Sequence, residues 1–214
     1  MFGTKRCFPP INSPFPSMKV PAHNSTQIAK AQFWDGSSGQ GSPILWPNDP
    51  VLAIHQASPE SGVPGLCGPE DLLDASSFTK YLNFGRKNSG FDITASSGPS
   101  AAGSFILTTA NDVNGQDPVS WEIVGTNVEI FNENNGTGHN ESWSLLGSGM
   151  VETPFERFTA APEVFFDNTV SYTFYKFLVT SVGSPLGVNI DSTQYSKFQL
   201  LISDTVPPSD QNYN

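Results

Sequence analysis

One polar loop carries the side chains of the sequence that are best suited to binding chemistry. Between two candidate strands the chain runs Asn111-Asp-Val-Asn-Gly-Gln-Asp117. Amides and carboxylates can match the hydroxyl groups of a sugar or the polar groups of a protein. The alternative is that Asp112 and Asp117 cap turns and hold the loop in shape. The candidate ligand-binding residues are Asn111, Asp112, Asn114, Gln116 and Asp117.

Residues suited to catalysis are sparse. The chain has 3 His, and their unrelated spacings do not make a zinc site. No serine lies in a complete Gly-x-Ser-x-Gly elbow; the nearest match surrounds Ser38, where Gln40 replaces the last glycine. Phosphate loops and dinucleotide fingerprints are absent. A pair of carboxylates for glycoside hydrolysis stays open, since any two of 20 acidic residues could meet in space. We expect a protein that is not an enzyme and has no cofactor.

Short strands must position the polar loop. The segment 104–109 is rich in β-branched and aromatic residues, and 120–124 is a similar run that ends at Gly125. High Gly (19) and Pro (18) contents and only 14% charged residues favour strands joined by turns over helices. The sequence predicts an all-β protein, a jelly-roll β-sandwich of about eight strands. The other predicted strands are 51–54, 81–84, 142–146, 164–166, 172–180 and 195–202, with 128–131 as an extension of 120–124 and a helical turn at 71–74.

Seven segments occur in the same order as in one known family. They are Thr79-Lys-Tyr-Leu-Asn-Phe-Gly, Asn88-Ser-Gly-Phe91, Leu107-Thr-Thr-Ala-Asn-Asp112, Asp117-Pro-Val-Ser-Trp121, Gly125-Thr-Asn127, Tyr172-Thr-Phe-Tyr-Lys-Phe177 and the closing strand 194–201. The set resembles the galactose-binding-like (discoidin-type) jelly-roll domains. The resemblance covers about residues 50–202 and implies the fold, whereas one fold hosts many functions. In those relatives an Arg often precedes the Asp-Pro pair, but this chain has Gln116 there.

The resemblance also implies a position for a metal ion. Many domains of the family hold a structural Ca²⁺, and the matching positions here are Asp74, Ser76 or Ser77, Thr79 and Lys197. An ammonium group cannot ligate a hard cation, but it can occupy the place of the cation and pair with a carboxylate. We expect no metal, with Lys197 replacing calcium beside Asp74. The alternative is that the alignment slips and Lys197 faces solvent.

The composition of the N-terminal part of the chain predicts an extended arm. Prolines at seven positions before residue 48 leave little room for continuous helix or central strand. The expected division is an arm at 1–48, the jelly-roll domain at 49–203 and a polar tail at 204–214. For Cys7 and Cys67, two free thiols are expected rather than a disulfide. Aromatic residues of the arm are predicted interface anchors: Phe8, Phe15, Phe33, Trp34 and Trp46.

Net charge limits the partners of the protein. A formal charge of −10 repels phosphates and anionic lipid, so neither nucleic acid nor membrane is an expected partner. Neither a signal peptide nor a membrane span is evident in the sequence. The arm and the lack of catalytic residues favour a structural subunit of a large assembly such as a virion, as a capsid decoration, cement or tail component. Its partners would be other subunits, including copies of itself, and its location a virion or other extracellular particle. The alternative is a carbohydrate-binding, lectin-like module that attaches to glycans.

Overall fold

The computed structural model describes residues 41–54, 63–74, 76, 78–85, 88–130, 141–183 and 192–202. Most of the predicted arm and the whole polar tail lie outside these residues. So do four of the five predicted interface anchors, Phe8, Phe15, Phe33 and Trp34. The description of the fold therefore concerns the predicted jelly-roll domain and the last residues before it.

The described residues form ten strands and no α-helix, which confirms the predicted all-β class. Two short 3₁₀ helices, Pro69–Leu72 and Asn114–Gln116, lie in the connections. All strand pairs are antiparallel. The strands are β1 (Val51–Ile54), β2 (Tyr81–Asn83), β3 (Ser89–Thr94), β4 (Ala102–Thr108), β5 (Pro118–Thr126), β6 (Ser144–Met150), β7 (Val164–Phe165), β8 (Phe174–Val182), β9 (Thr193–Tyr195) and β10 (Lys197–Ile202).

Two sheets face each other across an aromatic core. One sheet has the order β1-β3-β8-β5-β6 and the other β10-β4-β7, while β2 and β9 form a separate pair. Phe105 of β4 lies 4.9 Å from Trp121 of β5 and 5.2 Å from Phe177 of β8, measured between ring centroids. Phe198 of β10 lies 4.7 Å from Phe177. Each such aromatic pair contributes about 1 kcal/mol beyond the area that it buries.

Alternation along the strands decides which side chains enter this core. In β8, Tyr175, Phe177 and Val179 are all buried in the core. Because successive side chains of a strand point to opposite faces, Lys176 lies on the outer face of the same sheet. Asp92 of β3 is directly opposite Lys176 in the pairing of the two strands. The sheet therefore carries charged residues behind its apolar face.

Packing against the sandwich begins before the first strand. Pro43 forms a bridge with Leu201 of β10, and the amide of Ile44 donates to the carbonyl of Leu200 at 2.8 Å. The side chains of Ile44 and Leu45 are fully buried. Trp46, the predicted anchor that the structure describes, is half-buried. Its amide donates to Oδ2 of Asp49 at 2.9 Å.

Some local predictions differ from the structure. The strand β3 was not predicted, and residues 128–130 are not in a strand. The predicted closing strand at 195–202 is interrupted at Ser196, which separates the end of β9 from β10. The helical turn begins two residues earlier than expected, because Pro69 at the first helical position fits that end of a helix. Cys67 is buried and disulfide-bonded, so the expectation of two free thiols is wrong. The other cysteine of the sequence, Cys7, lies outside the described residues.

Candidate functional site

Three loops meet at one end of the sandwich. The polar loop 109–117 connects β4 to β5, and Thr108 at its start pairs with Lys197 at the start of β10. The loop 151–161 reaches the same place, where the amide of Thr109 donates to the carbonyl of Thr159 at 3.0 Å. Residues 78–80 lead into β2 beside them. The polar and aromatic side chains of these loops are candidates for a binding surface.

Arg157 joins two of these loops. Its Nη1 and Nη2 donate to Oδ2 and Oδ1 of Asp117 at 2.6 and 2.7 Å, and its Nε donates to the carbonyl of Ala110 at 2.8 Å. The Asp117 side chain is 2% exposed and that of Arg157 is 21% exposed. Burial raises the pKa of Asp117, and the hydrogen bonds and charge of Arg157 oppose that rise. In the sequence, the residue before the Asp-Pro pair is the uncharged Gln116. Arg157 supplies a positive charge beside Asp117 from a distant loop.

Lys80 joins the polar loop to β9. Its ammonium donates to Oδ1 of Asp112 at 3.0 Å and to Oε1 of Gln194 at 2.8 Å. Nε2 of Gln194 in turn donates to the carbonyl of Val113 at 3.1 Å. The Lys80 side chain is 5% exposed and that of Asp112 is 40% exposed. Asp112 is therefore fixed by a buried cation and still has access to solvent.

An exposed aromatic surface lies next to these charges. The Phe78 ring is 66% exposed and meets the ring of Phe158 edge-to-face, with centroids 5.6 Å apart. Phe158 has a φ of 56°, a value that is rare for a bulky side chain. The two rings form an apolar surface that is open to solvent.

These contacts close into a ring that we call the loop cluster: Phe78, Lys80, Asn111, Asp112, Arg157 and Phe158. Phe78 packs on Phe158, which follows Arg157; Arg157 binds Ala110, which precedes Asn111 and Asp112. Asp112 binds Lys80, two residues after Phe78. Within the cluster, Oδ1 of Asn111 is buried and has no hydrogen-bond partner. Buried polar atoms without a partner are uncommon and call for an explanation such as a bound molecule.

The predicted ligand-binding residues have different environments. Gln116 and Asp117 are buried, and their amides donate to Val113 and Asn114 in the 3₁₀ helix of the loop. Asn114 is exposed. Asn111 and Asp112 lie in the loop cluster. The sequence missed Phe78, Lys80, Arg157 and Phe158 as site residues, because no local pattern indicates which distant loops meet.

A second polar cluster surrounds Lys197. Its ammonium donates to Oδ1 of Asp74 at 2.5 Å, to Oγ1 of Thr79 at 2.9 Å and to the carbonyl oxygen of Asp71. Lys197 is 6% exposed, so it does not face solvent. Burial lowers the pKa of Lys197, and Asp74 opposes that shift. Among the described residues, no group of three His, Cys, Asp or Glu side chains could hold a metal ion.

Comparison with known proteins identifies the fold. No protein-family model and no curated protein matches the sequence. Solved structures match it at low identity. The Clostridium perfringens module CpGH89CBM32-5, in complex with GalNAc-β-1,3-galactose, has a TM-score of 0.52 and 11% identity, over 75% of this chain and 99% of its own. A fucose-binding module of Streptococcus pneumoniae has a TM-score of 0.50 and 10% identity, over 79% of this chain and 99% of the module.

A structure of two further modules is similar as well. The CBM32-1 and CBM32-2 domains of Clostridium perfringens ZmpB match with a TM-score of 0.53 and 12% identity, over 75% of this chain and 37% of theirs. At such identities the likeness concerns the fold alone.

No helix among the residues that the structure describes is long and apolar enough to cross a membrane.

These comparisons correct the functional interpretation of the sequence. The interpretation as a structural subunit of a virion is wrong, because the solved structures named above are carbohydrate-binding modules and none of these three is a virion component. They give no support to the expected partner subunits or to self-association. The absence of enzyme activity stays a prediction. The described part of the chain has the galactose-binding-like, discoidin-type β-sandwich fold of these modules.

Proposed function

We propose that the protein is a carbohydrate-binding module that attaches to glycans through the loop cluster and carries out no reaction. The observation that carries this proposal is the closed ring of contacts from Phe78 to Phe158. It places an exposed aromatic surface beside fixed polar groups that can meet hydroxyls. Small-molecule sites have the same composition, an apolar surface with a few placed polar groups.

The two sides of a sugar ring would use different parts of the cluster. The Phe78 ring offers a flat apolar surface to the C–H face of a pyranose, and aromatic side chains contribute much of the energy at such contacts. Asp112, which is 40% exposed, can accept hydrogen bonds from sugar hydroxyls. Because Lys80 holds this carboxylate in place, its fixed position favours one orientation of the sugar.

The charges of the cluster favour neutral glycans over acidic ones. Lys80 is paired with Asp112, and Arg157 is paired with Asp117. No cation of the cluster therefore lacks a carboxylate partner. The net charge of the chain, −10, adds long-range repulsion of sialylated or sulfated glycans.

A glycan array probed with the full chain tests the proposal. We expect binding to neutral glycans, and Phe78→Ala should lower the affinity about tenfold, equivalent to about 1.4 kcal/mol. Phe165→Ala is the matched control, because Phe165 is 67% exposed but lies on the edge strand β7. Failure of the full chain to bind any glycan would overturn the proposed function. Equal losses of affinity in both variants would show that the glycan does not bind at the loop cluster.

A further inference from the structure

The ammonium of Lys197 is enclosed by oxygen atoms from a distant segment of the chain. Its three N–H groups have three acceptors: the Asp71 carbonyl, the Asp74 carboxylate and the Thr79 hydroxyl. A protonated lysine has three donors and no acceptor, so each proton has one partner. The contacts join residues that are 118 to 126 positions apart in sequence. They fix the start of β10 to the segment that leads into β2.

The acceptors around the ammonium also support one another. Oγ1 of Thr79 donates to Oδ2 of Asp74 at 2.7 Å and accepts from Lys197. The amide of Ser76 donates to Oδ1 of Asp74 at 3.0 Å. The carboxylate is thus held by its own loop, which fixes the geometry of the group around Nζ. A preformed arrangement of this kind does not need a bound ion to order it.

The same oxygen atoms are the types that a calcium ion would take, but the residues do not fit the ion. Calcium binds carboxylate, carbonyl and hydroxyl oxygens at about 2.3–2.6 Å. An ion at that distance from Asp74, Thr79 and the Asp71 carbonyl would lie where the ammonium now lies. Lys197 provides no ligand atom and would repel the ion. The cation position that the fold family implies is therefore filled by a side chain of this protein.

We propose that Lys197 is a built-in replacement for a divalent cation and makes the folded state of this protein independent of calcium. One covalently attached positive charge then balances Asp74 and binds the loop carbonyl, as an ion would. An attached ammonium cannot be removed by chelation or dilution, since no dissociation equilibrium is coupled to folding. The proposal does not depend on glycan binding.

The first test uses the full chain without substitution. Its melting temperature is measured in EDTA and in millimolar calcium chloride, and its metal content is measured by mass spectrometry. We expect the same melting temperature in both solutions and no stoichiometric calcium. A higher melting temperature in calcium, or one calcium ion per chain, would overturn the proposal.

Substitutions then test the role of the ammonium itself. Lys197→Met keeps the aliphatic stem and should lower the melting temperature equally in both solutions. Lys197→Glu supplies a carboxylate ligand, so its melting temperature should be low in EDTA and should rise on addition of calcium. Lys176→Met is the matched control, because Lys176 is also buried, at 4% exposed, but lies on the outer face of the sheet. Calcium should not change the melting temperature of this variant.

Two results with these variants would contradict the inference. If Lys197→Met melts at the same temperature as the unsubstituted chain, the ammonium does not hold the segment. If calcium fails to raise the melting temperature of Lys197→Glu, the surrounding oxygens do not form a cation site. Lys197→Gln, which supplies a neutral oxygen, replaces Lys197→Glu if the latter does not fold.

Discussion

The guanidinium of Arg157 forms two parallel hydrogen bonds with the carboxylate of Asp117, at 2.6 and 2.7 Å. The third contact of Arg157, to the carbonyl of Ala110, lies at the other end of the same loop. One side chain therefore holds the loop between β4 and β5 at its beginning and at its end. The conformation that presents Asn111 and Asp112 depends on a residue of another loop, 40 positions along the chain from Asp117.

Arg157→Ala is expected to lower the free energy of unfolding by about 3 kcal/mol, because it leaves the buried Asp117 carboxylate without its partner. Arg157→Lys keeps the charge but loses the planar pair of donors, so its loss should be intermediate. Urea denaturation of the two variants and the unsubstituted chain measures both values. Equal stability of all three proteins would show that the pair contributes nothing to the folded state.

Gly90→Ala should destabilise the protein by at least about 3 kcal/mol. A Cβ at position 90 would lie 1.8 Å from the carbonyl oxygen of Phe177, so the pairing of β3 with β8 would have to shift. Gly149→Ala is the matched control, since its nearest neighbour would be a ring atom of Trp121 at 3.5 Å. Thermal denaturation compares the two variants, and a similar loss in both would contradict the steric explanation.

Much of the fold could be predicted because periodic patterns are local. The predicted strand at 172–180 overlaps β8, whose alternation places Tyr175 and Phe177 in the core. The strand β3 was missed because its alternating part, Phe91-Asp-Ile-Thr94, is only four residues long and follows Ser89-Gly90. Its Asp92 is buried on the outer face of the sheet, so both faces of this strand are covered. Propensity alone cannot indicate such burial.

The candidate site could be predicted only in part, since its residues come together through tertiary contacts. The loop 111–117 was identified by its composition, and two of its residues belong to the loop cluster. Arg157 and Phe158 lie in a segment with no recognisable motif, and Lys80 was noted only as part of a motif for the fold. The position of Lys197 followed from the family resemblance, and its contact with Asp74 is present in the structure.

Lys80→Met is expected to lower the free energy of unfolding by about 2 kcal/mol. The substitution removes a buried ammonium that donates to both Asp112 and Gln194, and it leaves the acceptor of Gln194 without a donor. Urea denaturation measures the loss. Asp112→Asn is the control for charge, because the amide oxygen can still accept from Lys80 and the loss should be smaller. A stable Lys80→Met protein would contradict the role of Lys80 in holding the loop.

The stability of the protein should fall as the pH rises from about 4 to about 7, and Asp92 is one cause. Burial raises the pKa of Asp92 from 3.8 to about 7, although Lys176 opposes this rise and Glu141 adds to it. Neither oxygen of the carboxyl group has a hydrogen-bond partner. Lys176 lies over the ring of Trp143, 4.3 Å from its centroid, instead of donating to the carboxyl group.

The direction of the effect follows from the protons bound in each state. Below about pH 4, Asp92 is protonated in the folded and the unfolded chain, so its stabilising contribution is complete. Between pH 4 and 7 only the unfolded chain loses the proton, and the contribution of a few kcal/mol is lost as the pH passes through the folded pKa. Burial also raises the pKa of Asp71, to about 6. Asp71 therefore acts in the same direction.

Asp92→Asn separates the contribution of Asp92 from that of the other groups. The amide keeps the shape of the side chain and does not titrate, so the variant should show a weaker fall in stability between pH 4 and 7. At pH 8 it should be more stable than the unsubstituted chain, because no buried carboxylate remains beside Glu141. Urea denaturation at a series of pH values measures both. Parallel stability curves for the two proteins would mean that Asp92 ionises in the folded state as it does in the unfolded chain.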